Sequence, residues 1–206
     1  MGPTTTRIGL LLFDEVEVLD ACGPFEVFSV AGRVARRDRP GAPPPFEVVT
    51  LSAEPTTTVR ARGGLPIVAD RLLAGAPPVD LAVVPGGVTT RIEDDEAVLG
   101  WIRGAAAAGS VVASVCTGAF PLALAGLLDG RTATTHWEDQ AQLRARFSAV
   151  TVVGDRRWVD HGSVATSAGV SAGIDLALHL VERLTDEQLA VATARQMDYP
   201  WRRDPA

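Results

Sequence analysis

A cysteine stands where a run of β-branched residues gives way to small ones. Residues 110–126 read S-V-V-A-S-V-C-T-G-A-F-P-L-A-L-A-G. The apolar run up to Val115 predicts a covered strand, and the Ala/Leu-rich stretch after Gly118 predicts a buried helix. Cys116 therefore falls at a strand-to-helix junction, beside unpaired N–H groups and the positive end of a helix dipole. That setting lowers a thiol pKa and makes the thiolate a usable nucleophile at neutral pH. Thr117 and Gly118 supply the small residues that such a turn needs, and the mechanics match those of a serine elbow. A lone cysteine in apolar surroundings is equally at home as a buried core residue. At this point both readings stand.

The elements that must position Cys116 follow from the apolar patterning. Residues 7–13 (R-I-G-L-L-L-F) predict a central parallel strand, with further strands over 46–52, 81–84, 131–135 and 150–153. Residues 158–166 predict a strand pair across a turn at Asp160-His161-Gly162, and 56–69 a small hairpin around Gly63-Gly64. Helices are expected from Phe25 until a Pro/Gly-rich loop at 40–45, from Asp94 or Asp95 to Ala108, and after Gly118 until Gly130. The last three cover 138–147, 173–184 and 186–197. Strands and helices alternate throughout, which defines an α/β fold with a mostly parallel sheet covered by helices on both faces. In such sheets ligands bind outside the carboxyl ends of the strands. Three turns fall there: Asp20-Ala21-Cys22-Gly23-Pro24, Pro85-Gly86-Gly87 and Cys116-Thr117-Gly118.

Composition removes several classes of chemistry. All 19 basic residues are arginine, so Schiff-base catalysis and a Walker-type phosphate loop, which need lysine, are excluded. A formal net charge of -6 argues against a nucleic-acid surface. No apolar stretch is long enough to span a bilayer, and no signal-peptide pattern opens the chain. Met1-Gly2 with Thr6 matches an acylation pattern by chance. Two cysteines make no disulfide framework, which points to a cytoplasmic location. The 206 residues suit one domain spanning 1–206.

Five segments together carry a family resemblance: L-D-A-C-G-P-F-E-V-F, V-V-P-G-G, S-V-C-T-G-A-F, G-R-T-A-T-T-H-W and T-S-A-G-V-S-A-G-I-D-L-A-L-H-L-V-E. In this order the chain resembles the ThiJ/PfpI family of the class I glutamine-amidotransferase-like superfamily. The D-x-x-G-P and V-C-T-G forms are those of the isonitrile hydratase branch and of amidotransferase-like domains in AraC-type transcription regulators. The resemblance implies a flavodoxin-like sandwich, a homodimer and no cofactor or metal. It makes Cys116 the elbow nucleophile, Asp20 the carboxylate that handles water beside the thiol, and Thr117 the residue that orients the reacting group. Gly86, Gly87 and Gly118 then form the substrate or oxyanion turn, with the Gly87 N–H available to developing charge, and His136 lies near the pocket.

Structural alternatives accompany each assignment. Asp20 also fits the N-cap of a helix opening at Gly23-Pro24, and Gly86-Gly87 a plain tight turn. His136 also fits a structural role, His161 and His179 fit turn and helix-surface positions, and Cys22 is expected to pack quietly. The departures narrow the chemistry. Proteolytic branches place histidine directly after the cysteine, where this chain has Thr117, and residues 167–171 offer no late base for a glutaminase. The resemblance therefore implies a cofactor-free hydratase acting on a small apolar substrate, with an isonitrile giving an N-substituted formamide. In that scheme the Cys116 thiolate attacks the isonitrile carbon, the nitrogen is protonated, and Asp20 activates the water that displaces sulfur. The alternatives are a ligand-sensing domain and a redox or stress role through Cys116 oxidation. Regulators of this kind carry a helix-turn-helix domain beyond this one, whereas this sequence ends at Ala206.

Overall fold

The computed structural model describes residues 5–205; Met1 and Gly2, which carry the acylation match, lie outside them. Eleven strands are formed among these residues: β1 (Thr6–Leu12), β2 (Phe46–Ser52), β3 (Thr58–Arg60), β4 (Pro66–Val68), β5 (Arg71–Leu72), β6 (Leu81–Val84), β7 (Val111–Val115), β8 (Thr132–Ala133), β9 (Thr151–Val152), β10 (Trp158–Asp160) and β11 (Val164–Ser167). The α-helices are α1 (Val18–Asp38), α2 (Glu96–Ala107), α3 (Ala119–Leu124), α4 (Gln140–Arg146), α5 (Ala172–Leu184) and α6 (Glu187–Gln196).

Seven strands make the main sheet in the order β10-β11-β7-β6-β1-β2-β5. All neighbours run parallel except β10 against β11. Strands covered on both faces need apolar residues throughout: every residue of β6 is buried, as are the last five of β1. Helices α1, α5 and α6 pack on one another, while α2 packs with α3 and lies against β6 and β7. The chain leaves β1 toward β2 and later returns to β6 on the other side of β1. This reversal between β1 and β6 is a topological switch point, the place where such sheets open a crevice. A lone antiparallel bridge between Val16 and Gly87 ties together the loops that follow those two strands.

Several expectations change in detail. The segment through Pro24 is helix, not turn: α1 opens at Val18, with Glu17 as a cap residue that makes no side-chain cap bond. Pro24 lies inside the helix and lacks the N–H that would reach the Asp20 carbonyl. The helix persists because Val27, Phe28, Ala31 and Val34 are buried along it. Helix α3 stops at Leu124, and Gly126 takes the left-handed conformation just past its end (φ 79°), well before Gly130. The 56–69 hairpin forms as β3–β4. Strands β8 and β9 pair with each other in a separate two-stranded sheet, and β5 has no counterpart among the strands expected from sequence. Asp95 and Asp186 cap α2 and α6, accepting from Ala97 and Val98 and from Leu189.

Two ionic clusters lock the far side of the sheet. Asp175, fully buried in the first turn of α5, accepts from Arg157 Nε at 2.6 Å and from the Arg202 N–H at 3.0 Å. His179 is no free surface histidine: its ring stacks on Trp158 with centroids 4.0 Å apart, and Nε2 lies 2.8 Å from Asp160.

Candidate active site

Strands β1, β6 and β7 end on the same side of the sheet, and their C-terminal loops supply the site. Cys116 follows β7 directly, in a single turn of 3-10 helix (Cys116–Gly118) that leads into α3. Its φ of 56° lies in the left-handed region, a conformation costing a non-glycine residue roughly 1–2 kcal/mol. Neighbouring groups hold the residue there. The Thr135 hydroxyl donates to the Cys116 carbonyl at 2.8 Å, in a fully buried contact. Gly118 packs so closely on β6 that a Cβ would lie 2.1 Å from the Val84 carbonyl oxygen.

Asp20 reaches the thiol from the first turn of α1, so it is not the N-cap that the sequence allowed. Its side chain is fully buried. Oδ2 accepts from the Gly86 N–H at 3.2 Å, and Oδ1, though buried, has no hydrogen-bond partner. Gly86 must be glycine here, since a Cβ would sit 2.7 Å from Asp20 Oδ2, Thr117 N and Thr117 Oγ1. The Thr117 hydroxyl is already used: it accepts from the Gly87 N–H at 2.9 Å and donates to the Gly87 carbonyl at 3.0 Å. The Gly87 N–H expected to face a substrate is thus taken by Thr117, and the hydroxyl serves to tie the β6 and β7 loops together.

Burial, and then the charge of Glu17, raise Asp20 from 3.8 to about 7; the neighbouring thiol and the Gly86 N–H oppose the rise. Burial and the Asp20 charge push the Cys116 thiol well above its ordinary 9.0, against a lowering by the Thr117 N–H. The lowered thiol pKa expected from the elbow is therefore not found. Helix α3 spans only six residues, and the carboxylate beside the sulfur outweighs what that short helix offers. Asp20 and Cys116 behave as one coupled acid. Above about pH 7 the carboxyl is ionised and the pair holds one proton, on the sulfur; below it the pair holds two.

His136 lies near the sulfur. Gly169 separates them: a Cβ there would lie 2.4 Å from His136 Cδ2 and 2.9 Å from Cys116 Sγ. The other side of the ring faces acids, with Nδ1 3.4 Å from Asp139 Oδ2 and 3.7 Å from Glu138 Oε2. A pocket of about 390 Å³ opens over this group, lined by Glu17, Arg62, Gly87, Cys116, Thr117, His136, Glu138, Asp139 and Val170. Val170 is the one aliphatic side chain in that lining, where the sequence predicts a small apolar substrate. Cys22, expected to pack, is exposed on α1.

Sequence reasoning misses Glu17, Arg62, Glu138, Asp139 and Gly169. Adjacency is the available signal for some of them: Glu138 and Asp139 directly follow His136-Trp137, and Gly169 lies within the T-S-A-G motif.

Fold and site together define an α/β protein of flavodoxin-like architecture with a cysteine elbow and a buried carboxylate beside the thiol. The chain belongs to the DJ-1/PfpI family, whose model matches residues 6–183. It is 34% identical over 194 residues to the isonitrile hydratase of Pseudomonas putida, covering 94% of this chain and 78% of that protein. It is 30% identical over 192 residues to the HTH-type transcriptional regulator GbdR of Pseudomonas aeruginosa, covering 93% of this chain but half of the regulator. Among solved structures, oxidized Toxoplasma gondii DJ-1 superposes with a TM-score of 0.81 at 26% identity, over 96% of this chain and 100% of that one. Among the described residues, no helix is long and apolar enough to cross a membrane.

Proposed function

We propose that the protein is a cysteine-dependent hydratase that converts an isonitrile and water to an N-substituted formamide. The observation that carries this reading is the buried Asp20 carboxyl beside the Cys116 thiol, a base for water next to a nucleophile. Similarity to the Pseudomonas putida isonitrile hydratase supports it. In the first step the thiol proton moves to the terminal carbon of the isonitrile while Sγ bonds that same carbon. The product is a thioformimidate on Cys116, with Asp20 left as carboxylate. Asp20 then takes a proton from water as the hydroxide oxygen bonds the carbon, and passes that proton to the nitrogen. Collapse forms the C=O of the formamide and breaks the C–S bond, and the proton of the former hydroxyl passes to the Asp20–Cys116 pair. The carbon, not the nitrogen, takes the first proton, because the terminal carbon of an isonitrile carries the lone pair.

The test is formation of the formamide from purified protein and a panel of isonitriles, beginning with cyclohexyl isocyanide, with Cys116→Ser as control. Absence of product with every member of the panel would remove the assignment. A second reading, a ligand-binding domain without turnover, is favoured by the 30% identity to GbdR. It is distinguished by saturable binding of a small molecule in the absence of any product.

The same reading includes one domain over 1–206, a cytoplasmic location consistent with two free thiols, and a homodimer. Light scattering at twice the mass of one chain is the expected result, and a clean monomer would exclude the dimer.

A further inference from the structure

The walls around Cys116 carry more negative than positive charge. Arg62 Nη1 lies 3.5 Å from Glu17 Oε2, so those two side chains offset each other. On the opposite wall Glu138 and Asp139 share a single imidazole, that of His136. Even with His136 protonated, this wall keeps a net negative charge, and no lysine or second arginine enters the pocket. The charge is felt at the sulfur, because Asp139 is one of the groups that hold the thiol up. Next to the thiol, Asp20 is fully buried, and its Oδ1 has no hydrogen-bond partner. Glu138 is 63% exposed at its side chain and Asp139 30%, so both are free to meet an incoming group.

We propose that the pocket selects small molecules whose substituent ends in an ammonium group, seated against Glu138 and Asp139 with the reacting carbon over Cys116 Sγ, and that it rejects carboxylates of the same size. This deepens the hydratase reading and rests on Cys116 as the nucleophile. It replaces the apolar substrate expected from sequence with one whose tail is cationic. The preference should be electrostatic, since the two carboxylates act through charge across a half-open site. Two unit charges acting within several ångströms in such a setting separate cation from anion by roughly tenfold or more at low ionic strength, and by much less in high salt.

The test measures reactivity of the thiol and does not depend on turnover. In a Cys22→Ser background, Cys116 is treated with size-matched methanethiosulfonates that transfer an aminoethyl, an ethyl or a sulfonatoethyl thio group. Each forms a disulfide with the sulfur and releases methanesulfinate. Rates are read by intact mass and divided by the rate of the same reagent with a free low-molecular-weight thiol. The expected ratio of aminoethyl to sulfonatoethyl is about tenfold or more at roughly 20 mM salt and under about threefold at roughly 1 M salt. It should approach one in the Glu138→Gln, Asp139→Asn double variant. A ratio near one in the parent protein, or one that survives in the double variant, overturns the proposal. If the double variant does not fold, the salt dependence of the parent protein decides. A roughly tenfold ratio together with no formamide from any isonitrile would keep the selectivity and remove the hydratase reading, so the two failures are distinguishable.

Discussion

Replacing Asp20 by asparagine should stabilise the protein and stop it working. The carboxyl is fully buried and is raised from 3.8 to about 7. Between those two pH values the folded state holds a proton that the unfolded chain has released. Stability therefore falls as pH rises from about 4 to about 7 and stays low above that. At about 1.4 kcal/mol for each pH unit, the ionised carboxylate costs the folded protein up to about 4 kcal/mol at pH 8. Asparagine keeps an oxygen for the Gly86 N–H, which donates to Oδ2, and carries no charge to bury. With a urea slope on the order of 2 kcal/mol per molar, the unfolding midpoint of Asp20→Asn should rise by roughly 1–2 M at pH 8. It should differ little from the parent at pH 4. An amide cannot take a proton from water, so the thioformimidate is not hydrolysed and turnover should fall about 10²–10⁴-fold. Urea titrations at both pH values, alongside formamide formation, are the assay. A midpoint at pH 8 that stays put or drops would refute the buried-charge argument, and parent-like turnover would refute the acid–base role.

Three further outcomes follow from the same geometry. The value of kcat/KM should climb with pH below about 7, as the pair goes from two protons to one, and level off above it; a profile flat from pH 5 to 9 would contradict that coupling. Gly86→Ala should abolish turnover and lower the melting temperature, because its Cβ would press on Asp20 Oδ2 and the Thr117 backbone nitrogen at 2.7 Å; full activity would mean the turn has room to move. Arg157→Ala leaves the fully buried Asp175 without its guanidinium partner and should cost about 3–5 kcal/mol in thermal or urea unfolding, with part recovered by adding Asp175→Asn.

The main sheet is legible in the sequence because its central strands are continuous apolar runs, and both faces of β1, β6 and β7 are covered. The Cys116 elbow is legible for the same reason: an apolar strand followed at once by Thr117 and Gly118. What local sequence does not carry is through-space chemistry. The thiol is governed by burial and by Asp20, far earlier in the chain, so a reading built on the helix terminus gives the wrong direction for its pKa. Pro24 has the look of a helix start and so suggests a turn at Asp20, yet the apolar face of α1 outweighs the one hydrogen bond that Pro24 removes. The charged lining of the pocket comes from the start of α1, the β3–β4 hairpin and the loop before α4. No single window of sequence brings Arg62 and Asp139 together.

Intact mass spectrometry of the protein quenched during turnover of an isonitrile tests the Cys116–Asp20 mechanism most directly. The expected result is a fraction of protein heavier by the whole mass of the substrate. That mass should map to the peptide containing Cys116, accumulate in Asp20→Asn and be absent in Cys116→Ser. Formamide appearing at the parent rate from Cys116→Ser, with no adduct on any variant, would contradict it.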